Sequence, residues 1–330
     1  MQSIVRGPAI LVLLALSACA GNGGSKPAAP LDDLSGVPRV APPGALKDPV
    51  HDNLNAVLWT QTSAEYRALA AQAFNQAART LAKARADAAF SALPEAEQGK
   101  IGADAPLAII TDIDETVLDN SAFSVDLIQN PINPALAPAE ARKAFEQRWN
   151  DWVAQREALP IPGAAELLAD AEKNGITVFY ITNRKDPEKA ETCNNLVQAK
   201  LPLKDCATQV LTRNDAEGRT KDKGSRRKMV AAGHRVVLVM GDNLGDFLDG
   251  VYVSPEERAA LVDQHATWWG DRWIVLPNPM YGSWEDALGN GAIDAASHTF
   301  GAEQERRRLE KARHLRAVDW WANPAPMEKK

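Results

Sequence analysis

Apolar positions along this chain fall into two rhythms. From about Leu54 to Phe90 the chain is Ala-rich, with Leu58, Leu69, Phe74 and Leu81 set among polar residues. That spacing predicts one or two amphipathic helices. A different rhythm begins at Leu107. Leu107-Ala108-Ile109-Ile110 is a short apolar run ending at Asp112, Ile176 to Ile181 is a second ending at Thr182, and Val236 to Met240 is a third ending at Gly241-Asp242. Trp273 to Leu276 is a weaker fourth. Runs of this kind read as strands buried on both faces, as in a parallel sheet. Helical stretches lie between them, for example Gly163 to Asn174 and Ser225 to Ala232, with Gly175 and Gly233 where helix C-caps fall. The alternation predicts an α/β fold: an open, mostly parallel, Rossmann-like sheet with helices on both faces. Ligands of such sheets bind at the carboxyl ends of the strands. The three best strands end there in Asp112, Thr182 and Asp242.

The remaining segments fill in the organisation. A long insertion, about 121–160, separates the first two strands, and Phe145, Trp149, Trp152 and Arg156 stand at helical spacing within it. It reads as a small helical lid. Residues 20–49, rich in Gly, Pro, Ala and Ser, read as a flexible tether. Before them, one Arg, the apolar run Ala9–Leu16 and then Leu16-Ser17-Ala18-Cys19 have the layout of a secretory signal. The last four resemble a bacterial lipobox, in which cleavage before Cys19 leaves a lipid-bearing N-terminus; a plain signal cut nearby is the simpler alternative. Ala20 after the cysteine favours the outer membrane by resemblance to Gram-negative sorting rules. The expected division is a signal peptide (1–18), a lipidated Cys19 and tether (19–49), a catalytic domain (50–320) with its lid and N- and C-terminal helices, and a tail (321–330).

Composition narrows the function classes. Of 330 residues, 45% are apolar and 24% charged, which is the profile of a chain with a sizeable core. A net charge of -6 without a long basic run argues against nucleic acid as a partner. Cys193 and Cys206 remain either as a disulfide, if the chain is exported, or as two free thiols.

Four motifs carry chemistry. Asp112-Ile113-Asp114-Glu115-Thr116 sets two carboxylates on a turn past a strand, one fit to attack phosphorus and one to move a proton; alone, the string is also what an acidic loop looks like. Thr182-Asn183-Arg184 offers hydroxyl and N–H groups for phosphate oxygens, or a helix N-cap. Lys223, with Lys221 as a rival, offers a cation beside a helix start, or a solvated basic face. Gly241-Asp242-Asn243-Leu244-Gly245-Asp246-Phe247 places two carboxylates four apart, which suits a hard cation, or a simple acidic turn. Asp112, Asp114, Asp242 and Asp246 together would repel a phosphate dianion, since unit charges 4 Å apart interact by about 4 kcal/mol at an effective dielectric of 20. Mg²⁺ plus Lys223 is the simplest remedy.

These residues resemble the haloacid dehalogenase superfamily and, within it, the class C (DDDD) acid phosphatases, with the outer-membrane lipoprotein 5′-nucleotidases among them. The likeness rests on Asp112 to Ser121, Gly241 to Phe247, Asn55 to Tyr66 and Leu276 to Glu285, and covers about 51–290. It implies the haloacid dehalogenase fold and an acid phosphatase acting on phosphate monoesters, nucleoside 5′-monophosphates above all. Asp112 would become a phospho-aspartate and Asp114 would act as acid and then base. Thr182, Asn183 and Lys223 would hold phosphate. One Mg²⁺ per site would sit on Asp112, the Asp114 carbonyl and Asp242, with Asp246 supporting or ligating. Phe123, Trp149 or Trp152, and Tyr281 would stack on the base. The expected partners are a small phosphomonoester and, through acylated Cys19, outer-membrane lipid, with the protein facing the periplasm or the surface and a homodimer left open. Two alternatives stand beside this: a broad acid phosphatase without nucleotide preference, and a non-catalytic surface lipoprotein that kept the fold.

Overall fold

Seven consecutive buried residues, Arg235–Gly241, make the middle of the molecule. No alternation of polar and apolar positions is possible there, because helices cover both faces of the sheet. In the computed structural model the strands are β1 (Leu107–Thr111), β2 (Leu118–Asp119), β3 (Leu159–Pro160), β4 (Thr177–Lys185), β5 (Val210–Arg213), β6 (Arg235–Gly241) and β7 (Trp273–Val275). Five of them form one sheet in the order β5-β4-β1-β6-β7, with every neighbouring pair parallel. The structure describes residues 51–288 except 101, 103 and 134, together with 308, 311, 312 and 315. All of these lie in the unit Ala45–Lys330. The expected signal peptide, lipidated Cys19, tether and tail lie outside the described residues.

Side chains alternate across the sheet and divide the core into two layers. Ile109, Val178, Tyr180 and Val237 pack with Phe74, Leu81, Leu167, Leu168 and Leu196. These last come from α2 (Ala64–Ala86), α6 (Ala164–Lys173) and α7 (Lys189–Gln198), taking α1 as Leu54–Thr62, α3 as Glu95–Gln98, α4 as Ser121–Gln129 and α5 as Pro138–Gln155. On the other face Ala108, Ile110, Phe179, Ile181, Val236 and Val239 pack with Val230, Ala231 and Phe247. These belong to α9 (Gly224–Ala231) and α10 (Leu244–Phe247), with α8 at Cys206–Gln209, α11 at Pro255–Gln264 and α12 at Ser283–Ala287. Helices on both faces of an open parallel sheet are the predicted architecture. The insertion expected to form a lid is α4 and α5, and its two ends are stapled by a two-stranded antiparallel ribbon of β2 and β3.

Three details differ from the apolar pattern. Leu58 and Leu69 are exposed at 53% and 41%, not core. The buried stripe of α2 is Tyr66, Ala70, Phe74, Ala77, Leu81 and Ala84, where small alanines let the helix lie close to the sheet. β5 has no apolar run, because at the sheet edge its residues alternate between buried Val210 and Thr212 and half-exposed Leu211 and Arg213. Cys193 of α7 and Cys206 of α8 form a disulfide. No helix among the described residues is long and apolar enough to cross a membrane.

Candidate active site

β1 delivers Asp112 to the carboxyl edge of the sheet, where its N–H donates to the Met240 carbonyl at 2.9 Å. The chain then folds back on itself. Ile113 is fully buried, and its carbonyl accepts from the N–H groups of Val117 and Leu118, both at 2.9 Å. Glu115 takes a left-handed conformation, φ 57°, inside this turn. Its carboxyl accepts the Asn120 N–H at 2.8 Å, and burial, with the charges of Asp114, Asp242 and Asp119, raises its pKa well above the usual range. The tight loop is what turns Asp114 back toward the strand ends and sets it beside Asp112.

One half of the site is a carboxylate cluster. Asp112, Asp242 and Asp246 each bring an oxygen within 4.8 Å of the others. β6 ends at Gly241 because nothing larger fits: a Cβ there would lie 2.2 Å from the Asp246 carboxylate. Asn243 caps α10 and its N–H donates to Asp246 Oδ2 at 2.9 Å. Asp242 accepts from Thr116 Oγ1 at 3.1 Å and from Asn278 Nδ2 at 2.8 Å. The positive charge in this cluster is Lys223. Its Nζ lies 2.5 Å from Asp112 and 2.6 Å from Asp246, and it also donates to the Ile181 carbonyl at 2.8 Å. Burial raises Asp112 to about 7; Lys223 opposes that rise, and Asp246 and Asp114 add to it. Burial, then Asp246 and Asp112, push Asp242 well up. Burial alone would lower Lys223, but the two carboxylates outweigh it and hold its pKa above normal. Three oxygen ligands in a buried, mutually repelling set suit a hard divalent cation.

The other half centres on Asp114 and is built without Lys223. Arg184, at the end of β4, donates from Nη2 to Asp114 Oδ1 at 2.7 Å and from Nε to both carboxylate oxygens at 3.0 and 3.2 Å. Asn120 Nδ2 donates to Oδ1 at 2.9 Å, and Thr182 Oγ1 lies 3.4 Å from Oδ2. Thr182 is held from behind by buried Arg226, which donates to its carbonyl and, at 2.8 Å, to the exposed Asn183 side chain. Above Asp114 stands the lid. The Phe123 ring centre is 5.1 Å from Trp149 and 6.4 Å from Trp152, and the Arg184 guanidinium lies 5.4 Å from the Trp149 ring.

The structure therefore brings together Asp112, Asp114, Thr182, Lys223, Asp242 and Asp246; Asn183 follows Thr182 in the chain, but its exposed side chain pairs with Arg226 and not with the carboxylates. Phe123, Trp149 and Trp152 form one aromatic group beside Asp114. Tyr281 belongs to a different cluster, with Val57, Ile128 and Met280. Lys221 does not reach the carboxylates of Asp112 and Asp246; it pairs with Asp286 at 3.4 Å and lies over the Tyr252 ring. Arg184, Asn120, Asn278 and Arg226 carry the site and were not singled out from the sequence. Each sits inside a quoted motif or next to one, but only the fold shows what it faces. Volume is a poor guide here. A cavity of about 690 Å³ lies at the opposite, amino-terminal end of the strands, lined by Ile176, Phe179, Leu211, Met229 and His234, far from these carboxylates.

Comparison with known proteins agrees with this geometry. Residues 40–284 match the family described as HAD superfamily, subfamily IIIB (acid phosphatase). The class C acid phosphatase of Bacillus anthracis, one of whose structures has tungstate bound, superposes with a TM-score of 0.64 at 29% identity, covering 81% of this chain and 98% of that one. Acid phosphatase 1 of Solanum lycopersicum is 27% identical over 176 residues, which is 52% of this chain; the chain spans 57% of that relative's length. A parallel α/β fold with paired aspartates at its carboxyl edge is the architecture of the haloacid dehalogenase superfamily. This chain belongs to subfamily IIIB of that superfamily.

Proposed function

We propose that the chain is a metal-dependent acid phosphatase that hydrolyses phosphate monoesters, with nucleoside 5′-monophosphates as the preferred class. The observation that carries this is the pairing of two differently supported carboxylates: Asp112 against Lys223, and Asp114 against Arg184 and Asn120. Family membership supports phosphomonoester hydrolysis, and the Bacillus relative binds tungstate, a tetrahedral oxyanion like phosphate.

A carboxylate oxygen of Asp112 attacks phosphorus, the ester P–O bond breaks, and Asp114 delivers a proton to the departing oxygen. Thr182, Asn183 and Lys223 hold the phosphoryl oxygens as charge shifts. Asp114 then takes a proton from the water that attacks the phospho-aspartate, releasing phosphate and restoring Asp112. Asp112, the Asp114 carbonyl and Asp242 would hold one Mg²⁺, which supplies charge that screens the carboxylates from the substrate dianion. Asp246 already uses its two oxygens on Lys223 and the Asn243 N–H, which favours a supporting role. Phe123, Trp149 and Trp152 offer apolar rings for a nucleobase, with Tyr281 as a further contact.

Replacing Asp112 by Asn should lower phosphate release by at least about 10⁴-fold; wild-type turnover in that variant would end the mechanism. A panel of nucleotides and sugar phosphates tests the preference, and a flat kcat/KM across it favours the broad-specificity alternative. The reading extends to export, with acylated Cys19 as an outer-membrane anchor. The Cys193–Cys206 disulfide supports an oxidising compartment. Cys19→Ser should move the protein from the membrane to the soluble fraction.

A further inference from the structure

The lid reaches Asp114 by hydrogen bonds through one side-chain amide, beside the contact of the Trp149 ring with the Arg184 guanidinium. Trp152 of α5 donates its indole N–H to Asn120 Oδ1 at 2.8 Å. Asn120 Nδ2 donates to Asp114 Oδ1 at 2.9 Å. Arg184 Nη2 also reaches Asn120 Oδ1, at 3.3 Å. Asn120 is 2% exposed, so water does not compete for these bonds. The orientation of its amide follows from the donors around it. An indole N–H and a guanidinium N–H can face only the amide oxygen, and a carboxylate can face only the amide nitrogen. A flipped amide would set donor against donor at Trp152 and acceptor against acceptor at Asp114. Trp152 therefore helps to decide which end of Asn120 meets Asp114.

The rest of the lid is fastened to the same neighbourhood. Trp149, one turn before Trp152, hydrogen-bonds Glu188, whose carboxylate also accepts the Lys185 N–H at 2.8 Å. Lys185 in turn pairs with Glu146 of α5 at 3.2 Å. So the face of α5 that carries the aromatic rings is seated on the end of β4 and on Asn120 together. A lid that served only to stack on a base would not require its indole N–H to be spent on a buried amide.

We propose that Trp152 is a positioning residue for proton transfer: through Asn120 it fixes the carboxyl of Asp114, so that seating of the lid and readiness of the acid are one event. The proposal rests on the reading of Asp114 as the acid that protonates the leaving oxygen. It gives Trp152 a role apart from stacking.

The test compares two substrates with the same ring and different leaving groups, p-nitrophenyl phosphate and phenyl phosphate, read as kcat/KM in the holoenzyme. Nitrophenolate departs with little help from an acid, whereas phenolate needs the proton. Asp114→Asn is the reference and should lose far more on phenyl phosphate than on p-nitrophenyl phosphate. Equal loss on both in that variant overturns the acid assignment and the proposal with it. Trp152→Phe keeps a ring and removes the N–H; Asn120→Ser breaks the relay at its centre. Given the net worth of one hydrogen bond, each should lose roughly fivefold or more on phenyl phosphate relative to p-nitrophenyl phosphate. The double variant should lose no more than Asn120→Ser alone, because both act on one path. A loss equal on the two substrates, or confined to KM, assigns Trp152 to packing or stacking and overturns the proposal while leaving the acid assignment intact. If one single variant does not fold, the other gives the same reading.

Discussion

Asp112 and Asp114 stand two residues apart, yet the molecule supports them in opposite ways. Asp112 is held among carboxylates, with Asp242 and Asp246 close by and one buried ammonium between them. Its supports come from β1, β6, α10 and the start of α9, all of them part of the sheet and its flanking helices. Asp114 has no carboxylate bonded to it. It is gripped by a two-pronged guanidinium from β4 and by an amide that the lid orients. The first arrangement is short of positive charge and would be completed by a bound cation. The second is already balanced and depends on geometry. A nucleophile tolerates, and a metal exploits, a crowd of negative charge; a group that must hand over a proton along a fixed line requires donors that set its direction.

The largest effect on this contrast is expected at Lys223. Lys223→Met removes the ammonium shared by Asp112 and Asp246, and kcat should fall about 10²- to 10³-fold. Removing one partner of a buried pair should also cost the metal-free protein roughly 3–5 kcal/mol, measured by denaturant titration. Unchanged stability would mean that the carboxylates of this half do not depend on their lysine. Arg184→Lys is the matching change in the other half. It keeps the charge and loses the two-pronged contact. Turnover should fall by roughly ten- to a hundredfold, while the gain in Tm on adding Mg²⁺ stays at the wild-type value. A lost Mg²⁺ response in this variant would show that the two halves are not separate.

How much of this was legible beforehand divides along the same line. The strands that bear the site are buried along most of their length, and such burial writes itself as apolar runs; β1, β4 and β6 were therefore readable, as was the polar residue at the end of each. β5 was not, because an edge strand needs only one apolar face. The carboxylates were readable because acidic residues right after such runs have few structural uses. Their supports were harder. Arg184 lies 70 positions from Asp114, and Asn278 lies 36 from Asp242. Sequence spacing says nothing about pairs that only the strand order β4-β1-β6-β7 brings together. Lys223 and Lys221 differ by two positions on the approach to α9, and which of them points into the site is set by where the helix begins.

The smallest expected effect is a pH-dependent response to Mg²⁺, and it tests the charge-short half alone. Burial raises Asp112 to about 7 and Asp242 well above its usual value, whereas both titrate near 3.9 in an unfolded chain. Below about pH 4 these carboxyls are protonated in both states. Between about 4 and 7 the unfolded chain has released protons that the metal-free fold still holds, so stability from this cluster is present at low pH and is lost as pH rises through the window. Mg²⁺ binds the ionised carboxylates and must displace those protons, so its stabilisation, RT ln(1 + [Mg²⁺]/Kd), grows as pH rises through the same window. Tm measured with and without Mg²⁺ across that range should diverge upward with pH, and taking the difference cancels groups that lie away from the site. A flat difference, or one largest at low pH, would mean that Asp112 and Asp242 are ionised in the metal-free fold, and that Lys223 satisfies this half without a metal ion.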